Sequence, residues 1–237
     1  MQVYLNEITG IADALVSLSF SKRSWTREME QTVRKDINDR FGTYGWTPAC
    51  YKDKTRRLME SLPKFCGEHT TLMDMMTASV TVEGLHRAGQ DDWDAHAKRY
   101  DNRIIRASTR LGIFTDGEMS DWYKGKIIPT DTALTMLGIL LPSEVEKDGV
   151  KYVKGVNGYI REDLKNDKDV MRGLYMESIP SNFIFKVNLA QWCHVYRMRN
   201  KDSHANPEVK DVAEQLQSQI EWVLPWLTRD FALAVKI

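Results

Sequence analysis

Cysteine is scarce: Cys50, Cys66 and Cys193 are odd in number and far apart. That excludes a disulfide framework, and the spacing fits no zinc site, so no metal is expected. Reduced thiols in a cytoplasmic protein are the reading that follows. No apolar run approaches the roughly 20 residues of a spanning helix. The start, Met1-Gln2-Val3-Tyr4-Leu5-Asn6-Glu7, lacks the basic and apolar segments of a secretory signal. No membrane partner is expected. Net charge is also absent, since 33 Lys and Arg balance 33 Asp and Glu. Nothing global therefore draws the chain toward nucleic acid. Internal repeats, low-complexity tracts and Pro/Ser-rich linkers are missing too.

What is present is an ordinary globular composition, 42% apolar and 28% charged over 237 residues. A single domain over 1–237 is the simplest organisation. Val3 to Phe20 could hold a strand or a helix. Arg27 to Phe41 and Asp53 to Phe65 carry helical spacing. Thr71 to Ala88 is apolar, and Val80-Thr81-Val82-Glu83 is its most strand-like stretch. From Gly112 to Asp169 turn residues and short β-prone runs take over. Within it, Val145 to Val153 reads as a hairpin turning on Asp148-Gly149. The stretch 112–169 is the candidate inserted or mobile region.

The last third is clearest. Leu189, Trp192, Cys193 and Tyr196 follow the i, i+3, i+4, i+7 rule of a buried helix face. Asn188 and Arg199 are about 1100° apart in helical rotation and so project nearly alike. Asn206-Pro207-Glu208 opens another helix with a capping Asn and Pro at its first position, running to about Leu224 before Pro225. The class is α+β with dominant C-terminal helices.

The run from Asn188 to Arg199, followed by Asp202-Ser203-His204-Ala205-Asn206-Pro207-Glu208-Val209, resembles the flavin-dependent thymidylate synthases. There an Asn opens a helix ending in Leu-Arg, with Asp-x-His-Ala-Gln-x-Glu-Ile shortly after. Three further pieces fall in the family's order. Ser17-Leu18-Ser19-Phe20 is similar to its Arg-Val-Ser-Phe. His69-Thr70-Thr71-Leu72-Met73-Asp74 is similar to its His-x-Ser/Thr-Pro-Phe-Glu. Val82-Glu83-Gly84-Leu85-His86-Arg87-Ala88 is similar to its Val-Glu-Gly-Ile-Ser-Arg-Ala. One signature departs. Counting on from Val82, the family's Arg-His-Arg lands on Ala95-His96-Ala97, where only the His survives. Counting back from Ser108-Thr109-Arg110, it lands on Lys98-Arg99-Tyr100.

The resemblance implies an antiparallel sheet packed with helices. It also implies one-carbon transfer from methylenetetrahydrofolate to C5 of dUMP, with FAD carrying hydride and NADPH regenerating it. A homotetramer binding dUMP and folate would be expected. Arg199 and His69 would serve catalysis, and Ser108, Arg110, Arg172 and Arg199 would hold the nucleotide. Ser19, Thr71, Asp74, His96, Asn188 and His194 would hold the flavin. Arginine suits a phosphate because its rigid fork makes paired, charge-assisted bonds. The plainer alternatives are solvated surface arginines, helix caps at Thr71 and Asp74, and a turn contact for His204. Cys193 falls on the apolar face and looks like core. Other readings are a 5-hydroxymethylase on the same fold, a binding homologue without chemistry, and a nucleic-acid module using the basic stretch Lys98 to Arg106.

Overall fold

The computed structural model describes residues 1–94, 103–106, 123, 130–155, 157–166 and 179–235. In chain order the elements begin with β1 (Gln2–Thr9), α1 (Ile11–Ser21), α2 (Arg27–Tyr44), α3 (Asp53–Glu68) and α4 (Thr71–Asp74). Then come β2 (Thr77–His86), α5 (Arg87–Asp94), β3 (Arg103–Arg106), α6 (Thr130–Met136), β4 (Glu144–Lys147), β5 (Val150–Lys154) and β6 (Tyr159–Arg161). The chain closes with β7 (Pro180–Asn188), α7 (Leu189–Arg199), α8 (Pro207–Val223) and α9 (Arg229–Ala234). The strands form a four-stranded sheet of order β1-β2-β7-β3 and a three-stranded sheet of order β4-β5-β6.

The chain divides into two compact units. One is drawn from Gln2–Val82, Trp93–Ile105 and Ile184–Ile237, and the other from Met1, Glu83–Asp92 and Arg106–Phe183.

In the larger unit β1 and β2 run antiparallel, with Asn6 donating to Thr81 and Thr9 to the Thr77 carbonyl. The segment expected as strand or helix is both: β1 gives way to α1 at Gly10, whose φ of +80° is left-handed. β1 is an edge strand, and α8 covers it. The Gln219 side chain accepts from the Leu5 amide at 2.7 Å and donates to the Val3 carbonyl at 2.8 Å. One amide thus satisfies backbone groups that an open edge would leave to solvent or to another chain.

The core forms where helical faces meet. Leu189, Trp192, Cys193 and Tyr196 of α7 are fully buried, as are Val209, Val212, Ala213, Leu216 and Ile220 of α8. Both sets keep the spacing of a single helix face. Each helix is also capped as its sequence directs. Asn188 Oδ1 accepts from the Gln191 amide at 2.7 Å, and Asn206 Oδ1 accepts from Glu208 at 2.9 Å behind Pro207.

In the smaller unit β4 and β5 pair antiparallel, Lys147 opposite Val150. Asp148 (φ 54°) and Gly149 (φ 74°) take the positive angles of a two-residue hairpin turn, as the Asp-Gly pair predicts. The described part of 112–169 thus holds regular structure. Gln90 is buried and its Nε2 donates to the carbonyls of Leu85 and Ser181 at 2.9 and 3.1 Å. That side chain holds the end of β2 to the start of β7. Among the described residues no helix is long and apolar enough to cross a membrane.

Candidate functional site

Several of the residues singled out in the sequence gather around α4, a single helical turn. α4 packs against α1, α3 and α7, all in the larger unit. Two backbone constraints hold it there. A Cβ at Gly10 would sit 1.8 Å from the Met75 carbonyl oxygen, so only glycine lets the β1–α1 corner pass. On the other side the Leu189 amide donates to the Met76 carbonyl at 2.9 Å. The residues after α4 are therefore gripped between the start of α1 and the start of α7.

His69 stands where α3 ends and α4 begins. Its amide donates to Phe65 at 2.7 Å and its carbonyl accepts from Leu72 at 3.3 Å, while its ring is exposed. Thr71 and Asp74, three residues apart on a helical turn, are exposed as well. The N-cap position of α4 belongs to Thr70. His69, Thr71 and Asp74 together form a polar edge open to solvent.

Ser19 has a different environment. It is fully buried on α1, and its hydroxyl donates to the Val16 carbonyl at 2.6 Å. Asn188 is 7% exposed and caps α7. His194, one and a half turns further along, is half-buried. Arg199 is 6% exposed in the last turn of α7, its Nη1 lying 3.5 Å from the Met198 carbonyl. At 1.5 Å per residue, Asn188 and Arg199 are separated by roughly 16 Å along the axis despite their shared azimuth. The helix presents one group at each end. His96, Ser108, Arg110 and Arg172 lie outside the described residues.

Sequence reasoning missed Gln191. It is buried in the first turn of α7, and its Nε2 has no hydrogen-bond partner among the described residues. A buried amide donor left unsatisfied destabilises a fold unless something else supplies an acceptor. The available signal was a polar residue between Leu189 and Trp192 in a stretch otherwise destined for the core.

The thiols supply no nucleophile near this site. Burial pushes Cys66 and Cys193 up to about 12, so both stay protonated at neutral pH. All three cysteines are free, and Cys193 is core, as its place on the apolar face predicts.

A family model described as thymidylate synthase complementing protein matches residues 14–226. The chain belongs to this family, that of the flavin-dependent thymidylate synthases. The resemblance read from Asn188 to Val209 and the three earlier motifs is borne out. Two solved structures show how far the thymidylate synthase fold extends over it. A flavin-dependent thymidylate synthase, ThyX, from Helicobacter pylori, complexed with FAD and dUMP, is 13% identical with a TM-score of 0.58, covering 97% of this chain and 99% of its own. The UMP/dUMP methylase PolB from Streptomyces cacaoi, bound with 5-Br dUMP, is 14% identical with a TM-score of 0.55, covering 95% and 92%. No curated protein sequence matches the chain. The α+β fold with antiparallel sheets and helices is that of the family.

Proposed function

We propose that this protein is an enzyme transferring a one-carbon unit from methylenetetrahydrofolate to C5 of a pyrimidine nucleotide, dUMP first. The observation that carries the reading is the family match over residues 14–226. The relatives whose structures align over nearly the whole chain are named for FAD with dUMP and for a UMP/dUMP methylase, which supports a pyrimidine mononucleotide as substrate.

Arg199 would hold the nucleotide with Arg110, Arg172 and Ser108. Its planar fork can make paired, charge-assisted bonds to an anion, and these are strong in a site with little water. His69, Thr71 and Asp74 fit a flavin. Their polar groups face solvent along one turn, and the carboxylate of Asp74 can accept from ribose or ribityl hydroxyls. Gln191 offers a further donor. Ser19 and Asn188 fit a supporting part: their side chains fix the ends of α1 and α7 from within. His96 and His194 complete the set carried over from the family pattern. FAD, when bound and reduced by NADPH, supplies the hydride that completes methyl formation. The residues bind, orient and exclude water. A homotetramer belongs to the same proposal.

The loss of two arginines at Ala95-His96-Ala97 favours a second reading, capture of the transferred carbon by water to give a 5-hydroxymethyl nucleotide. Incubation with FAD, NADPH, methylenetetrahydrofolate and either dUMP or UMP, followed by mass spectrometry, separates the two. A 5-methyl product dependent on FAD establishes the first reading. A product 16 mass units heavier than that establishes the second. Nucleotide binding with no product from any combination would leave only a binding homologue.

A further inference from the structure

A recess in the larger unit lies beside the turn from α1 to α2 and one face of α3, and its lining shares no residue with the polar edge at α4. It encloses about 530 Å³. That is within the roughly 300–1,000 Å³ typical of small-molecule pockets and far larger than a lone anion needs.

Its walls carry an uneven distribution of charge for a chain that is neutral overall. Lys22 enters from the end of α1, and Lys54 and Arg57 enter from α3; Glu60 is the one carboxylate among the lining side chains. Arg57 pairs with Asp53 at 2.6 Å, and the Lys22 ammonium lies 5.0 Å from the centre of the Phe65 ring. Among the described residues, Lys22 and Lys54 make no ion pair. The hydroxyl of Thr26 adds a donor, while that of Ser24 donates to the Ser19 carbonyl at 3.4 Å and offers its oxygen as an acceptor. Thr26 Oγ1 accepts from the Met29 amide at 3.2 Å, which leaves its own proton for a ligand. This is also where the first amides of the 18-residue helix α2 begin, an end that favours negative charge.

Two features go beyond charge. The floor is apolar, made by the buried side chains of Met29 and Leu58. On the same turn Phe20 and Trp25 stack at 4.8 Å with 17° between their planes, and both are exposed. The turn itself closes with Arg23 at φ 52°, its amide donating to Phe20 and the next amide, that of Ser24, to Ser19. That pattern normally takes glycine, and a side chain there is strained. An arginine held in this conformation adds a fourth cation, beside the Lys22, Lys54 and Arg57 of the lining.

We propose that this recess binds a nucleoside phosphate, distinct from the one-carbon acceptor at Arg199. The phosphates meet Lys22, Lys54, Arg57 and the start of α2, the planar base lies over Met29 and Leu58, and Glu60 accepts from a ribose hydroxyl or a base amine. A simple oxyanion would leave the floor and most of the volume unused. A flexible polycarboxylate would gain nothing from the apolar face.

The test is titration of the full chain with ADP, adenosine, pyrophosphate and tetraglutamate, read by calorimetry at two salt concentrations. ADP is expected to bind more tightly than either of its halves and to weaken as salt rises. Lys54→Ala with Arg57→Ala should weaken ADP roughly tenfold while leaving dUMP binding and thermal stability unchanged. Because these side chains are exposed, the variants fold. ADP affinity unaffected by the double substitution, equal binding of adenosine and ADP, or preference for tetraglutamate would each overturn the assignment. The outcome is independent of the one-carbon chemistry, which none of these probes reports.

Discussion

Trp192 and Gln217 meet in the core through a 2.8 Å hydrogen bond from the indole N–H to the amide oxygen. Gln217 then donates its own Nε2 to the Leu227 carbonyl at 2.7 Å. Trp192 is fully buried and Gln217 is 2% exposed, so water replaces neither bond. One glutamine thus ties α7 and α8 to the loop before α9. Gln217→Leu would leave an indole donor and a backbone carbonyl unpartnered. It is expected to destabilise the fold by about 2 kcal/mol, with a wider spread of 1–3. A urea midpoint within error of the parent would show that the bridge contributes nothing.

Glycine supplies a paired test. Gly10→Ala must fit a methyl group against the Met75 carbonyl at a positive φ. It should cost about 2–4 kcal/mol and loosen α4, so that any flavin affinity falls with stability. Gly149→Ala meets open space at φ 74° and should cost only about 1 kcal/mol. Equal losses in the two variants would contradict the steric account.

Much of this was legible from local pattern. The buried faces of α7 and α8, the Asn206-Pro207 start and the Asp148-Gly149 turn depend on neighbours three or four residues away, and sequence records those directly. The junction at α4 was not legible. Gly10 looks like any turn glycine until Met75, sixty-five residues later, arrives against it. Ser19 matched a motif, yet its hydroxyl turns to Val16, because which side of α1 faces the core is decided by packing. Asn188 and Arg199 share an azimuth, and azimuth says nothing of the distance along the helix.

On the proposed reading Arg199→Ala should weaken dUMP binding by about tenfold to a hundredfold, measured by calorimetry, since it would remove a charge-assisted pair of bonds. Arg199→Lys keeps the charge without the fork and should recover only part of that loss. Flavin titrations run beside these separate a nucleotide effect from general damage. Unchanged dUMP affinity in the alanine variant would remove Arg199 from the site.

Alkaline pH should destabilise the protein. Burial raises the Cys66 and Cys193 thiols from 9.0 to about 12, and burial with the nearby Asp36 carboxylate raises Tyr51 from 10.0 to about 12. The folded state then keeps protons that the unfolded chain releases. The stability tied to these groups is intact below pH 9 and is lost as pH climbs toward 12. Urea midpoints taken from pH 8 to 11 should be level at first and then fall. A disulfide reagent at pH 8 should label Cys50, which is half-exposed, well before the other two. A flat profile to pH 11 would mean these groups titrate normally.

The hairpin tip at Asp148-Gly149 offers something to the experimenter. Both residues already hold the backbone angles the turn requires, and among the described residues nothing lies within 4 Å of a side chain added at Gly149. Foreign sequence spliced there would ask nothing of the packed interior. A short tag or a single dye at that tip is a handle for immobilising or lighting the protein without disturbing the β4–β5 pairing below it.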